Sequence, residues 1–289
     1  MKTTLLIPIY NDRESLKKLI ENINNEVKDL NSEISIVVIN DASSQQIIDN
    51  YQNLENIHSF EIINMRENRG HARCIAAGLK YIFEKKEFDF VIPMDGDGED
   101  RPEEIKNFIE VARNAENKSI VGERIKRSES LFFKFCYQFH KFLTLVFTGK
   151  SIKFGNYTCL SKSTIKKMLD EKSTWNSFSG SLKKIENDLL SIPSIRGKRY
   201  FGLSQMSFFN LLKHSLSIIS VFRKTVLIRS ALFIILYILL IKSYASVITS
   251  LPLVFLLIMI YSISSLALRE NIEEFNNCLT NIHDIDKIK

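Results

Sequence analysis

The residues best suited to chemistry lie in the stretch FDFVIPMDGDGEDRPEEI, from Phe88 to Ile105, where an apolar run ends abruptly in Asp95, Asp97, Glu99 and Asp100. Four carboxylates within six residues repel one another and resist desolvation unless a cation sits among them. Asp95 and Asp97 have the period-two spacing that projects both side chains the same way from an extended chain. Hard oxygen ligands of this kind suit Mg2+ or Mn2+. Such ions keep several waters and bind through one or two carboxylates plus the phosphates of a substrate. The plain alternative is an acidic surface turn, shaped by Gly96 and Gly98, with Pro102 starting a helix.

A cluster of that kind needs a rigid frame, and the first half of the chain supplies the pattern for one. Strand-like runs at Thr3 to Ile9, Ile34 to Ile39, Phe60 to Met65 and Phe88 to Met94 alternate with helical patterns from about Glu14 to Leu30 and from Ala72 to Glu84. A short Ser/Gln-rich helix is expected after the second strand. Strand, helix, strand implies a parallel sheet, and runs such as SIVVIN, apolar on both faces, imply helices covering each side. In such sheets the ligand crevice lies beyond the carboxyl ends of the strands. The residues at those ends are Pro8, Tyr10, Asn11 and Asp12, then Asn40, Asp41 and Ser43, then Arg66 to His71, then the carboxylates. Polar groups recurring at the same end of successive strands build one site.

The other large feature is apolar. Ser243 to Leu268 is 26 residues without a charge, and Ser230 to Ile241 is another 12. A membrane span needs roughly 20 mostly apolar residues, which Val247 to Leu268 supplies, while the first pass must recruit Thr225 to Ile228 and tolerate Arg229. The alternative is a buried helical hairpin of a soluble domain. Arg223, Lys224 and Arg229 precede the hairpin and Arg269 follows it, against Lys242 between the passes, so the positive-inside rule puts both ends in the cytoplasm. Met1 to Tyr10 reads as a short strand rather than the core of a signal peptide, so the N-terminal part is expected to be cytosolic. The expected divisions are a cytosolic domain over 1–205, an amphipathic interfacial helix over 206–224, a transmembrane hairpin over 225–269 and a cytosolic tail over 270–289, the last read as a short helix and a frayed end.

The 289 residues carry a formal charge of +6. No aromatic-interleaved basic motif accompanies that excess, so nucleic acid is not an expected partner; anionic lipid headgroups or phosphate ligands account for it better. Cys74, Cys136, Cys159 and Cys278 are widely spaced, fitting a reducing compartment and offering no zinc site. Leu131 to Phe147 carries Phe132, Phe135, Phe139, Phe142 and Val146 at helical steps, and Phe208 to Phe222 mixes large apolar residues with Lys213 and His214. Core packing explains such stripes, and so do helices lying at a bilayer interface.

LLIPIYNDRESL, VVINDASSQ, NRGHARCIAAGL and MDGDGEDRPEEI, in this order, resemble the N-terminal domain of family 2 glycosyltransferases. The later RGKRYFGLSQMSFFNLLKHSL, followed by a hairpin, is similar to the branch that includes dolichol-phosphate mannose synthase and bacterial polyprenyl-phosphate glycosyltransferases. The resemblance implies an α/β, GT-A-type nucleotide-sugar-binding domain with a mostly parallel sheet, followed by interfacial helices and a two-helix transmembrane hairpin. It implies a divalent metal and inverting transfer from a UDP- or GDP-sugar. By the same resemblance Asp41 contacts the base, Pro8 and Tyr10 line the base and ribose pocket with Asp12 and Arg69 nearby, and Asp95 and Asp97 lie at the metal and diphosphate. Glu99 stands where close relatives often carry Gln, as a further metal contact.

Breaking an anomeric C–O bond leaves a nucleoside diphosphate whose growing negative charge must be stabilised. Arg199 is the candidate clamp, since an arginine fork matches phosphate oxygens, with Gly202 allowing close approach and Ser204 adding a donor. The alternative places Arg199 at the membrane surface beside Lys198 and Arg196. A hydroxyl acceptor benefits from a nearby base, whereas a lipid phosphate is already ionised. Where the lipid-phosphate branch commonly reads Asp-x-Gly, this chain has Lys153, with Asn156 after Gly155. Lys153 then attracts an acceptor phosphate, or the acceptor differs. Asp100 is the remaining local carboxylate, read here as the cap of the helix near Pro102. His71 is open between a phosphate contact and a structural cap.

The expected function is a membrane-anchored transferase on the cytoplasmic face of the inner membrane, acting on polyprenyl phosphate. A hydroxyl of a lipid-linked saccharide is the second acceptor, and a non-catalytic sugar-nucleotide-binding subunit is the reading outside enzymes. The QxxRW motif of processive synthases is absent. The family includes both self-sufficient chains and homo-oligomers assembled through their membrane helices.

Overall fold

The computed structural model describes residues 1–47, 51, 53–126, 131–202 and 207–289. The first half alternates as the patterning requires: β1 (Lys2–Ile9), α1 (Arg13–Glu26), β2 (Glu33–Asn40), β3 (Ser59–Met65), α2 (His71–Lys85) and β4 (Phe90–Pro93). β1 pairs in parallel with both β2 and β4, and β2 with β3. There follow α3 (Ile105–Arg113), β5 (Ile120–Lys126), α4 (Leu131–Thr148), β6 (Phe154–Ser161), α5 (Lys162–Asp170), α6 (Phe178–Ile185) and β7 (Leu190–Ile195). β6 runs antiparallel to β4 and β5 and so extends the sheet on one side, to the order β7-β5-β6-β4-β1-β2-β3-β8.

Period-two alternation sorts the strand side chains into two cores. Leu5, Ile7, Ile36, Val38, Phe60 and Ile62 face Leu16, Leu19, Ile20 and Ile23 of α1. Leu6, Val37, Ile39 and Ile63 face Ile75, Leu79 and Ile82 of α2. Burying each such side chain stabilises the fold by about 1.5–3 kcal/mol, which is why the central strands are apolar on both faces.

Two expected elements differ. The first helix stops at Glu26 rather than Leu30: the Val27 amide makes the last ladder bond, to the Ile23 carbonyl, and the Leu30 amide then closes a shorter turn on the Val27 carbonyl. Residues 41–47 form no helix, since Asn11 and Asn40 side chains take up the amides of Ser44 and Ser43; the rest of the expected Ser/Gln-rich helix lies outside the described residues. The expected boundary at 205 also lies outside them.

Residues 208–267 are helical: α7 (Phe208–Ser220), α8 (Arg223–Ile241) and α9 (Val247–Ala267). Both α8 and α9 are long and apolar enough to cross a membrane, and only 11% and 22% of their most apolar windows are buried. In this chain the two helices are therefore not a hairpin buried in the core of the sheet domain. Arg229, which lies beyond the first turn of α8, donates to the carbonyls of Leu145 and Val146 at 3.4 and 3.0 Å, so it caps the C-terminal end of α4, where a cation is favoured. Phe147, Leu216, Ile219, Val226, Leu256, Met259 and Ile263 join α4, α7, α8 and α9 in a core of their own.

This bundle is fastened to the sheet domain through α7. Asn176 donates to Ser220 Oγ at 2.9 Å in a buried contact, and Gly180 of α6 lets α7 approach so closely that a Cβ there would meet Val221 Cγ2 at 2.9 Å and the Ile218 carbonyl at 3.1 Å.

The tail corrects the sequence reading. Residues 272–276 form α10 (Ile272–Asn276) and 282–287 form β8 (Ile282–Lys287), which pairs antiparallel with β3. It is the sheet's last strand, not a frayed end. β3 would otherwise expose a row of unpaired edge groups, and Asn64 further donates to Asp284 and Asp286 at 2.5 and 2.6 Å.

Gly180→Leu is expected to overpack the α6–α7 contact and to cost about 1–3 kcal/mol, read as a lowered unfolding midpoint of the full chain in detergent. An unchanged midpoint would mean that α7 is not held there.

Candidate active site

The carboxylate turn follows β4 at the carboxyl end of the central strands. Asp100 is buried and accepts the Asp95 amide at 2.9 Å. It therefore braces the turn from inside, and the expected helix cap is corrected: the helical turn at Pro102 has Arg101 at its cap position with no side-chain cap bond. Asp97 accepts the Glu99 amide at 3.0 Å. Gly98 holds φ +88, and a Cβ there would lie 2.5 Å from the Tyr200 ring; both the backbone conformation and the close aromatic exclude a larger residue.

Arg199 reaches this turn because the backbone carries it there. Gly197 donates to the Glu99 carbonyl at 2.8 Å and Tyr200 to the Asp97 carbonyl at 2.9 Å. Glu104, buried, holds the preceding end of β7 through Ser194 Oγ and the Ile195 amide. The Arg199 guanidinium then spans two carboxylates, donating to Asp97 at 2.9 Å and pairing with Asp12 at the start of α1. The membrane-surface alternative for Arg199 is thereby excluded. Gly202, in the left-handed region, lines the same cleft of about 790 Å3 with Asp12, Arg199 and Phe201. Ser204 lies outside the described residues.

Asp95 and Asp97 differ in their electrostatics. Burial works against the charge on Asp95, yet the hydrogen bond and charge of His71, with Arg196 and Arg124 beyond, hold its carboxyl well below the usual range. His71 Nε2 lies 3.3 Å from Asp95 Oδ1, and the Asn156 amide meets the same ring nitrogen at 2.8 Å. Asp97 is pushed up, first by burial and then by Asp95, against the pull of the Glu99 amide and Arg199. Asp100 is pushed up for the same first two reasons. A turn with one buried and two half-buried acidic groups of unequal proton affinities holds charge that an added cation would stabilise.

Among the described residues no three His, Cys, Asp or Glu side chains gather as a preformed metal cage. Glu99 is paired with Arg196 instead, which corrects its expected place beside Asp95 and Asp97. The two remaining carboxylates still fit Mg2+ or Mn2+, because such ions complete their shell with water and substrate phosphates.

Asp41 is buried and accepts the amides of Arg69 and Gly70 at 2.8 and 2.9 Å. It thus anchors the loop into α2, a task not visible in its spacing. Pro8 is buried at the end of β1, and Tyr10 beyond it is 48% exposed. The Arg69 guanidinium lies between Glu274 and Glu67 at 2.5 and 2.9 Å. Lys153 is not a free cation: Glu123 of β5 pairs with it at 2.9 Å. Arg124, Arg196 and Tyr200 escaped the sequence reading, since each joins the turn from a distant segment. Only the density of basic residues in RGKRY hinted at Arg196.

The site is thus a set of carboxylates at the strand ends of a mostly parallel sheet, with an arginine folded over them. Residues 4–176 match the model of Glycosyl transferase family 2, and the chain belongs to that family. An undecaprenyl-phosphate 4-deoxy-4-formamido-L-arabinose transferase of Proteus mirabilis (strain HI4320) is 28% identical over 219 residues, which are 73% of this chain and 64% of that relative. The chain thus spans a little under two thirds of the length of this curated relative. Among solved structures, glucosyl-3-phosphoglycerate synthase from Mycobacterium tuberculosis, in complex with Mn2+, UDP-glucose and phosphoglyceric acid, superposes with TM-score 0.55 at 11% identity, covering 78% of this chain and 79% of that one. TarS 1-349 of S. aureus, in complex with UDP-GlcNAc, gives TM-score 0.50 at 15% identity, covering 77% and 66%. These likenesses carry the GT-A-type fold.

Asp41→Ala is expected to leave the Arg69 and Gly70 amides without their acceptor, costing roughly 1–3 kcal/mol in urea unfolding and speeding hydrogen exchange at those two amides. Unchanged exchange would remove Asp41 from this role.

Proposed function

We propose that this chain is a membrane-anchored, metal-dependent, inverting glycosyltransferase that moves a sugar from a UDP- or GDP-sugar to a polyprenyl phosphate on the cytoplasmic face of a membrane. The observation that carries the reading is the pair Asp95 and Asp97 at the strand ends with Arg199 folded onto Asp97, in a chain whose α8 and α9 present apolar side chains outward. The named activity of the Proteus mirabilis relative supports the acceptor, and the Mn2+ and UDP-glucose of the mycobacterial synthase support metal and donor.

Asp95 and Asp97 would hold the divalent ion, which supplies positive charge against the departing diphosphate. Arg199 is poised to exchange a carboxylate for phosphate oxygens, since its fork suits both. Tyr10 and Pro8 border the end of β1 where the base would lie, and Asp12 sits at the opening of the cleft. An ionised acceptor phosphate needs no base. The local carboxylates agree with that economy, because Asp100 is spent on the Asp95 amide and Glu99 on Arg196. Exposed Phe142 of α4 and Phe209 of α7, beside the hairpin, would rest at the headgroup level.

Transfer to a hydroxyl of a lipid-linked saccharide is the second reading. It is favoured by Glu123, which stands beside Lys153 where the lipid-phosphate branch carries its own acid, and which offers a base.

Purified protein with Mn2+ or Mg2+, UDP- and GDP-sugars and polyprenyl phosphate should form a glycolipid, and Asp97→Asn should lower that rate roughly a hundredfold or more while folding is kept. Near-normal turnover of Asp97→Asn would remove the metal assignment, and nucleotide release without glycolipid would move the acceptor to a hydroxyl. Arg199→Ala should weaken donor binding and slow turnover together. An unchanged rate would end its role as clamp.

A further inference from the structure

The segment after the second apolar helix grips the loop that leads from β3 into α2. Arg66 donates its amide to the Asn281 carbonyl at 2.7 Å and its Nε to the Ile282 carbonyl at 3.2 Å. Asn281 Nδ2 donates to the Glu67 carbonyl at 3.0 Å. Glu274 then accepts from Arg69 at 2.5 Å with one oxygen and lies 3.4 Å from Arg73 with the other. The platform beneath Glu274 is firm: Phe275, 1% exposed, stacks on Trp175 with ring centroids 5.4 Å apart, and Arg73 lies 5.2 Å over the same indole.

Asp41 holds this loop from the opposite side by the amides of Arg69 and Gly70. The loop is therefore clamped between the end of β2 and a segment more than two hundred residues later in the chain. Its far end opens α2, whose first residue, His71, touches Asp95. Arg69 has a second partner in Glu67, but that carboxylate is exposed, and an exposed pair does little to fix a long side chain. Glu274 is the group that orients the guanidinium.

We propose that Glu274 is a positioning residue of the donor site. By fixing Arg69 it holds residues 66–71 against the carboxylate turn, and it makes nucleotide binding depend on the chain that returns from the hairpin. The proposal rests on the nucleotide-sugar reading given above. It also means that the apolar hairpin is tied to the sheet domain on both flanks, by α7 before it and by this strap after it.

The test uses the full chain in detergent, with UDP and GDP in the presence of Mn2+ as calorimetric probes and hydrogen exchange across residues 66–71 as a second readout. Glu274→Ala should weaken the nucleotide that the parent chain binds by about tenfold or more, the range for outer partners of a binding group, at an unchanged melting temperature. Glu274→Asp should recover much of that loss, because it keeps the charge. The double variant with Arg69→Ala should bind no more weakly than Arg69→Ala alone, and exchange in Glu274→Ala should quicken at 66–71. Parent-like binding and exchange in Glu274→Ala would overturn the proposal. So would a binding loss that tracks a fall in melting temperature without recovery in Glu274→Asp, or losses that add in the double variant. If the parent chain binds neither nucleotide, the donor reading fails and with it a donor-site role for Glu274; unchanged exchange with nucleotide still bound would sink the positioning role alone.

Discussion

The carboxylate turn after β4 is the constraint around which the rest is arranged. Two like charges 4 Å apart repel by about 4 kcal/mol at an effective dielectric of about 20, and here Asp95, Asp97 and Asp100 crowd at the end of a strand whose other residues are apolar. The fold accommodates them by bringing cations from elsewhere. His71 comes from the head of α2, Arg124 from β5, and Arg196 and Arg199 from the segment after β7. These groups enter from three separate parts of the chain, so the turn works as a junction on which the sheet, the helices and the later loops converge. The proposed metal and diphosphate would draw on the same balance of charge.

A second constraint is mechanical. Contacts on either side of the pair of apolar helices fix it to the sheet domain. Before it, Gly180 and the Asn176–Ser220 hydrogen bond seat α7 on α6; after it, β8 completes the sheet beside β3. Arg229 turns what looked like a flaw in an apolar helix into a bond with the end of α4. An arginine is tolerated there because the orphan carbonyls of a helix terminus need donors.

Much of the site was legible because it lies at strand ends. Alternating apolar runs predict a parallel sheet, and the polar residues that follow each run then lie at one end of it: Asp12, Asp41, Arg69 and the carboxylates do so. What spacing alone misassigned were the partners. Asp100 reads as a helix cap from its distance to Pro102, but burial turned it toward the Asp95 amide. Glu99 reads as a third ligand, but Arg196 reaches it first. Lys153 reads as a group that attracts an acceptor phosphate, and the pairing with Glu123 of β5 was not visible in its spacing. Each misreading involves a pair separated by many residues or a choice among close neighbours, and local pattern carries no information about either.

The sequence by itself determined the alternation of strands and helices, the position of the carboxylate turn and the two long apolar helices, because periodicity and charge are local properties of the chain; the resemblance to the family rests on its motifs instead. The tertiary structure alone decided which cation meets which carboxylate, that Asp41 secures a loop, and that the last residues form a strand. IHDIDK is short and half polar, with little to mark it as a strand. It becomes one because the edge of β3 offers unpaired backbone groups and Asn64 offers donors to Asp284 and Asp286, and hydrogen bonding of that kind depends on a neighbour more than two hundred residues away.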